Sequence, residues 1–273
     1  MNKQIAACVC SLLLLAGCKS CNNNVPAYIP PPAIPVINYA VVKYFPHDTT
    51  SFTEGLLVHN GRLWEATGHA PKNEWPQTRS LFGVVDMGTG KIAVKAEIDK
   101  NKYFGEGISF FGNRLYQLTL SPKVGFVYDT LGYRQLSEFT FPGNEGWGLT
   151  TDSSNLIMSD GTGTLYYLNP ATLQQVKTLT VSHNGVAADS LNELEYINGY
   201  IYANVWLTNA IIKIDPRTGD VAGKLDLTTL AEEAKNKYPG SLEMNGIAWD
   251  AATDKIYITG KLWPTIYQVA FAH

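Results

Sequence analysis

The sequence predicts an all-β fold, a five-bladed β-propeller with four antiparallel strands in each blade. Three observations predict it: one segment pattern recurs five times, the recurrences are spaced like blades, and a second hairpin follows four of them. Each recurrence contains a short apolar strand, a turn, and a second strand with alternating β-branched or aromatic residues. The five segments are FTEGLLVHNGRLWEATG, FGEGISFFGNRLYQLTL, GWGLTTDSSNLIMSDG, LNELEYINGYIYANVW and MNGIAWDAATDKIYITGK.

The spacing of these segments lies in the range of propeller blades. When the segments are aligned on one shared position, the intervals between neighbouring segments range from 41 to 52 residues. The shortest runs from Gly107 to Gly148, and one of the two longest runs from Gly55 to Gly107. The hairpins that follow have Asp-centred turns such as DMGTGK and DPRTGD, which suit tight loops between third and fourth strands. Each unit is therefore predicted to be a four-stranded meander.

The fifth unit has only three strands in the sequence, because the chain stops after TIYQVAFAH. An unassigned alternating strand, VINYAVVKYF, precedes the first unit. We expect this N-terminal strand to join the last blade. The pairing would close the ring and remove an open sheet edge that could template aggregation.

The first residues have the features of a lipoprotein leader. A weakly basic start and an apolar run end in LAGC, a lipobox pattern in which Cys18 takes a diacylglyceryl group. The apolar run is too short to span a bilayer. We predict a signal peptide at 1–17, a lipidated Asn- and Pro-rich tether at 18–35 and the propeller at 36–273, anchored in a bacterial cell envelope. An ordinary cleaved signal peptide is the alternative.

Composition argues against several kinds of site and partner. All four cysteines lie in or beside the leader, which leaves none in the propeller for a disulfide, a zinc-thiolate site or a nucleophile. The five histidines show no metal-ligand spacing. The formal net charge of −3 argues against a nucleic-acid partner, which needs a concentrated basic face. We predict neither metal nor cofactor, and we expect a monomer.

Propeller geometry predicts where a site lies. The first strand of each blade starts, and the second strand ends, on the same face of the ring. The residues at these positions are Glu54, Glu106, Trp147, Glu193 and Asn245, and Thr67, Leu120, Asp160, Trp206 and Lys261. Indoles beside ionisable groups suit a pocket with apolar walls and few polar contacts. The alternative for the three glutamates is that they close the channel by accepting hydrogen bonds from neighbouring backbone amides.

The runs FTEGL, FGEGI, EGWGLT, SDGT, LNELEYINGYIYANVW, IDPRTG, NGIAWD and GKLWP resemble those of plant and bacterial glutaminyl-peptide cyclotransferases. The resemblance extends from about Tyr39 to Phe271. It implies a five-bladed propeller that converts the N-terminal glutamine of peptides or proteins into pyroglutamate and releases ammonia. It also implies that the reaction needs no zinc, unlike that of the animal enzymes.

Matched by position, the resemblance implies that Glu106 is the catalytic acid/base, that Asn192 and Lys261 make polar contacts in catalysis, and that Trp147 and Trp206 are pocket indoles. The chain departs from the usual pattern at two positions. Glu54 replaces a glutamine, and Leu120 replaces a tryptophan. We predict that both of these residues, together with Glu193, contact the substrate.

Two other functions remain open from the sequence. A non-catalytic propeller could capture peptides or other ligands at the same mouth, which Glu54 and Leu120 favour. A calcium-dependent hydrolase of the lactonase type could use oxygen ligands for a hard cation, and it predicts loss of activity with a chelator. The candidate ligands are Glu54, Glu106, Asn192, Glu193 and Asn245.

Overall fold

Each recurring segment forms the two innermost strands of a four-stranded antiparallel sheet. The computed structural model describes residues 32–69 and 77–273. The innermost strands of neighbouring sheets contact each other in a closed cycle, so the sheets form the five blades of a propeller. The predicted fold class is therefore confirmed.

The strands of each blade follow one another in sequence, except in blade five. Blade one contains β2 (Phe52–His59), β3 (Arg62–Gly68), β4 (Leu81–Val85) and β5 (Ile92–Glu97). Blade two contains β6 (Gly105–Phe111), β7 (Arg114–Thr119), β8 (Gly125–Asp129) and β9 (Gln135–Phe139). Blade three contains β10 (Leu149–Thr151), β11 (Leu156–Ser159), β12 (Thr164–Leu168) and β13 (Gln175–Thr180). Blade four contains β16 (Leu191–Ile197), β17 (Tyr200–Val205), β18 (Ala210–Ile214) and β19 (Val221–Asp226).

Blade five closes the ring as predicted. It contains β20 (Met244–Asp250), β21 (Lys255–Gly260), β22 (Thr265–Phe271) and, at its outer edge, β1 (Tyr39–Pro46). Strand β1 runs antiparallel to β22. Directly after β1, the imidazole of His47 is buried, with Nδ1 2.8 Å from the carbonyl oxygen of Trp263 and Nε2 3.1 Å from the carboxylate of Glu65. This contact ties the N-terminal strand to blades one and five.

The core consists of five hydrophobic clusters, one between each pair of neighbouring blades. Between blades one and two, Trp64 is buried and meets the ring of Phe110 edge-on at 5.0 Å between centroids. Trp64 is therefore part of the hydrophobic core. Trp249 is partly buried against the cluster between blades four and five, and its Nε1 donates to Asp254. Since each blade buries both faces, the ring holds its inner strands in fixed positions.

One helix and one small hairpin lie between blades. Helix α1 (Thr228–Lys237) connects blades four and five, and a hairpin of β14 (Ser182–His183) and β15 (Val186–Ala187) follows blade three. The helix was not predicted. Its sequence supports it, because Leu230 and Ala234 are four residues apart and both face the core. Within the described residues, the structure has no helix long and apolar enough to cross a bilayer.

The folded unit begins slightly before the predicted boundary at residue 36. The carbonyl oxygen of Pro35 accepts a hydrogen bond from the backbone N of Lys224 at 2.9 Å, and Ile34 packs against the cluster between blades three and four. Residues Ala33–His273 form one structural unit. The predicted signal peptide, the predicted lipidation site at Cys18 and most of the predicted tether lie outside the described residues.

Candidate active site

Four of the five inner strands change register where predicted site residues lie. The shifts fall between Thr53 and Gly55, Gly105 and Ile108, Leu191 and Leu194, and Met244 and Ile247. A β-bulge leaves a residue outside the regular ladder and re-aims its side chain. The residues inside these shifts include Glu54, Glu106, Asn192, Glu193 and Asn245. The local backbone therefore directs the polar side chains out of the regular strand alternation at the mouth of the channel.

The glycines of the recurring motif let the inner strands approach closely at the same level. A Cβ added to Gly107 would lie 2.6 Å from a backbone nitrogen of blade three, and one added to Gly148 would lie 2.2 Å from the carbonyl oxygen of Asn192. No side chain can occupy such positions. The backbone N of Gly107 donates to the carbonyl oxygen of Trp147 at 2.9 Å. This close approach brings blades two, three and four together around the site.

A single cavity of about 340 Å³ opens where these strands meet. It brings together seven of the eight residues that the sequence predicted for catalysis or substrate binding: Glu54, Glu106, Leu120, Trp147, Asn192, Trp206 and Lys261. They come from all five blades. The structure therefore places the predicted mixture of carboxylates, indoles, an amide and an ammonium group around one pocket.

A buried ion pair joins blades one and five at this pocket. The ammonium Nζ of Lys261 lies 2.8 Å from Oε1 of Glu54, and Nδ2 of Asn245 donates to the other carboxylate oxygen at 3.0 Å. Burial raises the pKa of Glu54 to about 7, because the effect of burial is larger than the opposing effect of the positive charge of Lys261. Burial alone would lower the pKa of Lys261, but the carboxylates of Glu54 and Glu106 together raise it. The lysine therefore stays charged beside two acids.

Glu106 differs from Glu54 in its surroundings. It is 4% exposed, and its Oε2 has no hydrogen-bond partner among the described residues. Burial raises its pKa well above the usual range, and the charge of Glu54 adds to the effect while Lys261 opposes it. A buried carboxyl oxygen without a donor is costly and marks a group that is free to bind a ligand or exchange a proton.

Asn192 supplies a second buried polar atom without a partner. Its side chain is 3% exposed, and its Oδ1 makes no hydrogen bond within the described part of the chain. Its backbone is held in place, because the hydroxyl of Ser159 donates to the carbonyl oxygen of Asn192 at 2.7 Å. The pocket thus offers two buried polar acceptors whose natural partners would be donor groups of a bound molecule.

Two indoles form one wall of the pocket. The rings of Trp147 and Trp206 meet edge-on with 5.5 Å between centroids and 81° between planes. The Nε1 of Trp147 donates to a carboxylate oxygen of Glu145 at 2.9 Å, which fixes the orientation of that ring. Trp206 is 38% exposed, which is unusual for so large an apolar side chain. An exposed indole at a pocket edge is typical of a surface that a ligand covers.

Glu193 is the predicted substrate contact that the structure does not place in the pocket. Its Oε1 accepts from the backbone N of Leu56 in blade one at 3.2 Å, and its Oε2 accepts from Ile247 in blade five at 2.8 Å. Both amides belong to the innermost strand of their blade, which pairs with another strand on one side alone, so they have no partner in the ladder. Glu193 therefore closes the channel in the way that the alternative interpretation described.

Sequence reasoning missed four residues of the lining: Phe52, Phe104, Glu145 and Glu243. All four lie two residues before a predicted first-strand position, as in Phe52-Thr-Glu54 and Glu243-Met-Asn245. Because side chains two residues apart in extended chain point to the same side, this spacing could have identified them. The ring of Phe52 lies 4.6 Å from the ammonium of Lys261.

Three other residues at the predicted mouth positions support the structure around the site. Asn245 holds Glu54 and also donates to the carbonyl oxygen of Thr53. The hydroxyl of Thr67 donates to the backbone of Arg79. Asp160 is buried and accepts hydrogen bonds from neighbouring loop groups and from a tyrosine hydroxyl.

The arrangement of charges does not favour a divalent cation. Lys261 already pairs with Glu54, so a permanent positive charge stands beside one of the carboxylates that the calcium-dependent alternative requires. Glu193, another of its candidate ligands, is bound to backbone amides. Within residues 32–69 and 77–273, no group of three or more His, Cys, Asp or Glu side chains is arranged to hold a metal ion.

Comparison with known proteins agrees with this geometry. The sequence profile of the family described as "Glutamine cyclotransferase" matches residues 10–271. The glutaminyl-peptide cyclotransferase of Arabidopsis thaliana is 40% identical over 231 residues, which cover 84% of this chain and 70% of that protein. The crystal structure of Myxococcus xanthus glutaminyl cyclase matches with a TM-score of 0.77 and 31% identity, over 87% of this chain and 98% of that one.

Proposed function

The chain belongs to the glutamine cyclotransferase family, and from that premise we propose that Glu106 moves the proton in the cyclisation of an N-terminal glutamine. The protein is a glutaminyl-peptide cyclotransferase, an acyltransferase that acts on peptides or proteins beginning with glutamine. The α-amine attacks the side-chain carboxamide carbon, a lactam C–N bond forms, and the original amide C–N bond breaks to release ammonia. The single observation that carries the proposed role of Glu106 is its buried, unpartnered carboxyl oxygen in the pocket.

The reaction requires a proton to leave one nitrogen and reach another. The α-amine must lose a proton as it attacks, and the departing amide nitrogen must gain one. A carboxyl group whose pKa is raised by burial is a stronger base than an ordinary carboxylate and can also return the proton as an acid. Burial raises the pKa of Glu106, and its Oε2 has no hydrogen-bond partner among the described residues, while the carboxylate of Glu54 is held by Lys261 and Asn245. Glu106 is therefore the better proton carrier of the two.

Lys261 and Asn192 complete the polar part of the proposed mechanism. As the amine attacks, negative charge develops on the carboxamide oxygen. The ammonium of Lys261 would stabilise that charge, an effect worth roughly 3 kcal/mol for a well-placed donor. The unpartnered Oδ1 of Asn192 suits one of the donor groups of the glutamine. Both nucleophile and electrophile belong to one residue, so holding its folded rotamer supplies much of the rate enhancement.

The aromatic walls would hold the substrate and exclude water. Trp147 and Trp206 form one side of the pocket, Phe52 and Phe104 meet edge-on at 6.0 Å between centroids, and Leu120 also lines the cavity. A cavity of about 340 Å³ has room for the glutamine side chain and the backbone that follows it. Leu120 is apolar, so it preserves a dry wall although it cannot stack like an indole.

Substitution of Glu106 by glutamine tests the proposed role. We expect Glu106→Gln to lower kcat for ammonia release from a Gln-Ala-Ala peptide by about 10²–10⁴-fold, the usual contribution of a general acid/base. Binding of the peptide, measured by quenching of tryptophan fluorescence, should change little because the two side chains have the same shape. Unchanged turnover in this variant would remove Glu106 from the mechanism.

We also propose that the protein is a monomeric lipoprotein of the bacterial cell envelope. The lipobox at Cys18 and the Asn- and Pro-rich segment after it support this proposal. The acyl chains would hold the enzyme at the membrane. The tether would let the propeller reach proteins beside it.

Cysteine substitution distinguishes the anchor from an ordinary signal peptide. In a bacterial host, we expect the wild-type protein in the membrane fraction and Cys18→Ala in the soluble fraction, since the acylated residue is lost. Cys21→Ala is the matched control and should remain with the membranes. Membrane association of Cys18→Ala equal to that of the wild type would contradict the proposal.

A further inference from the structure

Given the proposed cyclotransferase activity, on which this step rests, we propose that the pocket selects peptides whose second residue is positively charged. The residues that would recognise this charge are Glu243, from the start of blade five, and Glu145, from the start of blade three. Neither belongs to the proposed proton transfer. They are specificity-determining residues at the pocket entrance.

The balance of charge in the pocket is the first reason. Four carboxylates line it, from Glu54, Glu106, Glu145 and Glu243, whereas Lys261 is the single cation of the described lining. Lys261 pairs with Glu54 at 2.8 Å. The α-ammonium of the substrate is the natural partner of Glu106. Two carboxylates therefore remain without a positive counterpart when a neutral peptide is bound.

The position of these two carboxylates is the second reason. Glu54, Glu106 and Asn192 are all less than 5% exposed, so they form the floor of the pocket. Glu145 and Glu243 are partly exposed, so they lie nearer to solvent. A peptide whose N-terminal glutamine reaches the floor must leave past the entrance. Its second residue is the one that passes these carboxylates.

Glu243 is held where it can act on a ligand. The backbone N of Lys261 donates to the carbonyl oxygen of Glu243 at 2.9 Å, which fixes the backbone of Glu243 opposite the lysine. Its carboxylate makes no hydrogen bond or ion pair with any residue in the described ranges. Its charge nevertheless reaches the site, because it contributes to the raised pKa values of both Glu54 and Lys261. Glu243 is thus a rigidly placed acid with a free carboxylate.

Two unpartnered atoms on the floor of the pocket are a further reason, separate from the acidic entrance, to infer a binding site. Oε2 of Glu106 and Oδ1 of Asn192 are buried and unpartnered among the described residues, and both side chains line the same cavity. They require donor groups from a ligand, and an N-terminal glutamine offers an ammonium and an amide NH₂. The apolar walls lower the local dielectric constant, which strengthens the attraction between the entrance carboxylates and a cationic side chain.

Three peptides test the proposal and keep it separate from the activity itself. We would measure kcat/KM for ammonia release from amidated Gln-Lys-Ala, Gln-Ala-Ala and Gln-Glu-Ala. For the wild type we expect Gln-Lys-Ala to exceed Gln-Glu-Ala by about tenfold at low ionic strength, with Gln-Ala-Ala between them, and we expect the ratio to shrink with added salt. If no peptide is cyclised, the proposed activity fails; if all three react equally, only the selectivity fails.

Two charge-neutralising variants locate the effect. In Glu243→Gln we expect the ratio of kcat/KM for Gln-Lys-Ala to kcat/KM for Gln-Glu-Ala to fall to about threefold or less, since one of two entrance charges is removed. The ratio is taken within each variant, so a general loss of activity cancels. Glu232→Gln changes the net charge equally on the exposed side of α1 and should keep the wild-type ratio. An unchanged ratio in Glu243→Gln, or an equal loss in Glu232→Gln, would overturn the proposal.

Discussion

Glu106 and Glu193 occupy the same position in blades two and four, but they end in opposite environments. Burial raises the pKa of both carboxyl groups above the usual range. Glu193 accepts hydrogen bonds from two backbone amides of other blades, whereas Oε2 of Glu106 has no partner within the described residues. The repeat thus fixes where a carboxylate lies, and the groups facing it decide what it does.

The difference comes from the neighbouring strands. Strands β2 and β20 are the innermost strands of their blades and pair on one side alone, so the ladder does not use the amides of Leu56 and Ile247, and Glu193 accepts hydrogen bonds from both. Glu106 faces Glu54 and Lys261 instead, and these two bind each other. A satisfied buried carboxylate is structural, while an unsatisfied one stores the free energy that a ligand can release. Identical residue types at identical repeat positions can therefore have unrelated roles.

The largest effect that we expect is on the free energy of unfolding, when the carboxylate of Glu193 is removed; it tests whether this carboxylate is structural. Glu193→Ala leaves two buried amides without acceptors, and each such group costs about 1–3 kcal/mol. We expect the free energy of unfolding, measured by urea denaturation, to fall by about 2–5 kcal/mol. Glu106→Gln should change it by less than about 1 kcal/mol, since no hydrogen bond to Oε2 is lost.

The same two variants should show the opposite order in activity: Glu106→Gln, the more stable variant, should be the less active one. Glu193→Ala should retain measurable turnover at low temperature wherever it remains folded, because its side chain does not line the pocket. Glu106→Gln should remain folded and show the fall in kcat of about 10²–10⁴-fold that the proposed proton transfer predicts. Equal stability of the two variants would mean that the hydrogen bonds of Glu193 do not support the channel.

The sequence was sufficient for the fold and for the positions of most residues that line the pocket. The repeat spacing predicted five blades and the pairing of the N-terminal strand with the last blade. Position in the repeat and the family resemblance together predicted that five residues meet at one mouth, and all five line the cavity in the structure: Glu106, Trp147, Asn192, Trp206 and Lys261. These placements share a cause, because the repeat sets the backbone and the backbone sets which residues reach the mouth.

The sequence was not sufficient for hydrogen-bond partners. Glu193 lies at the predicted mouth, but its partners Leu56 and Ile247 are more than 50 residues away in the chain. Which amides of the other inner strands face Glu193 depends on the assembled ring, and no local pattern predicts it. Glu145 and Glu243 were missed for a different reason. Each lies two positions before the residue that the repeat marks at a strand start, on the same side of the extended chain.

A smaller effect would sharpen the comparison within the pocket itself, where Glu54 is a partnered acid beside the unpartnered Glu106. Glu54→Gln keeps the shape of the side chain and removes its charge. The pKa of Glu106 should fall, because a neighbouring negative charge is lost and Lys261 is left unneutralised. The pKa of Lys261 should fall as well, because its nearest carboxylate is gone.

Both limbs of the pH profile should therefore move in the same direction. In the proposed mechanism, the acidic limb of the pH profile of kcat/KM reports deprotonation of Glu106. The basic limb reports the loss of positive charge on Lys261. The whole bell-shaped profile should therefore shift to lower pH in Glu54→Gln. We expect the value at the optimum to change by no more than about tenfold, or about 1.4 kcal/mol in the barrier, since Glu54 acts through its neighbours. A variant that lost activity at every pH without moving either limb would show that Glu54 contacts the substrate directly. Its role would then be binding, as the sequence predicted, and the division between partnered and unpartnered acids would not hold inside the pocket.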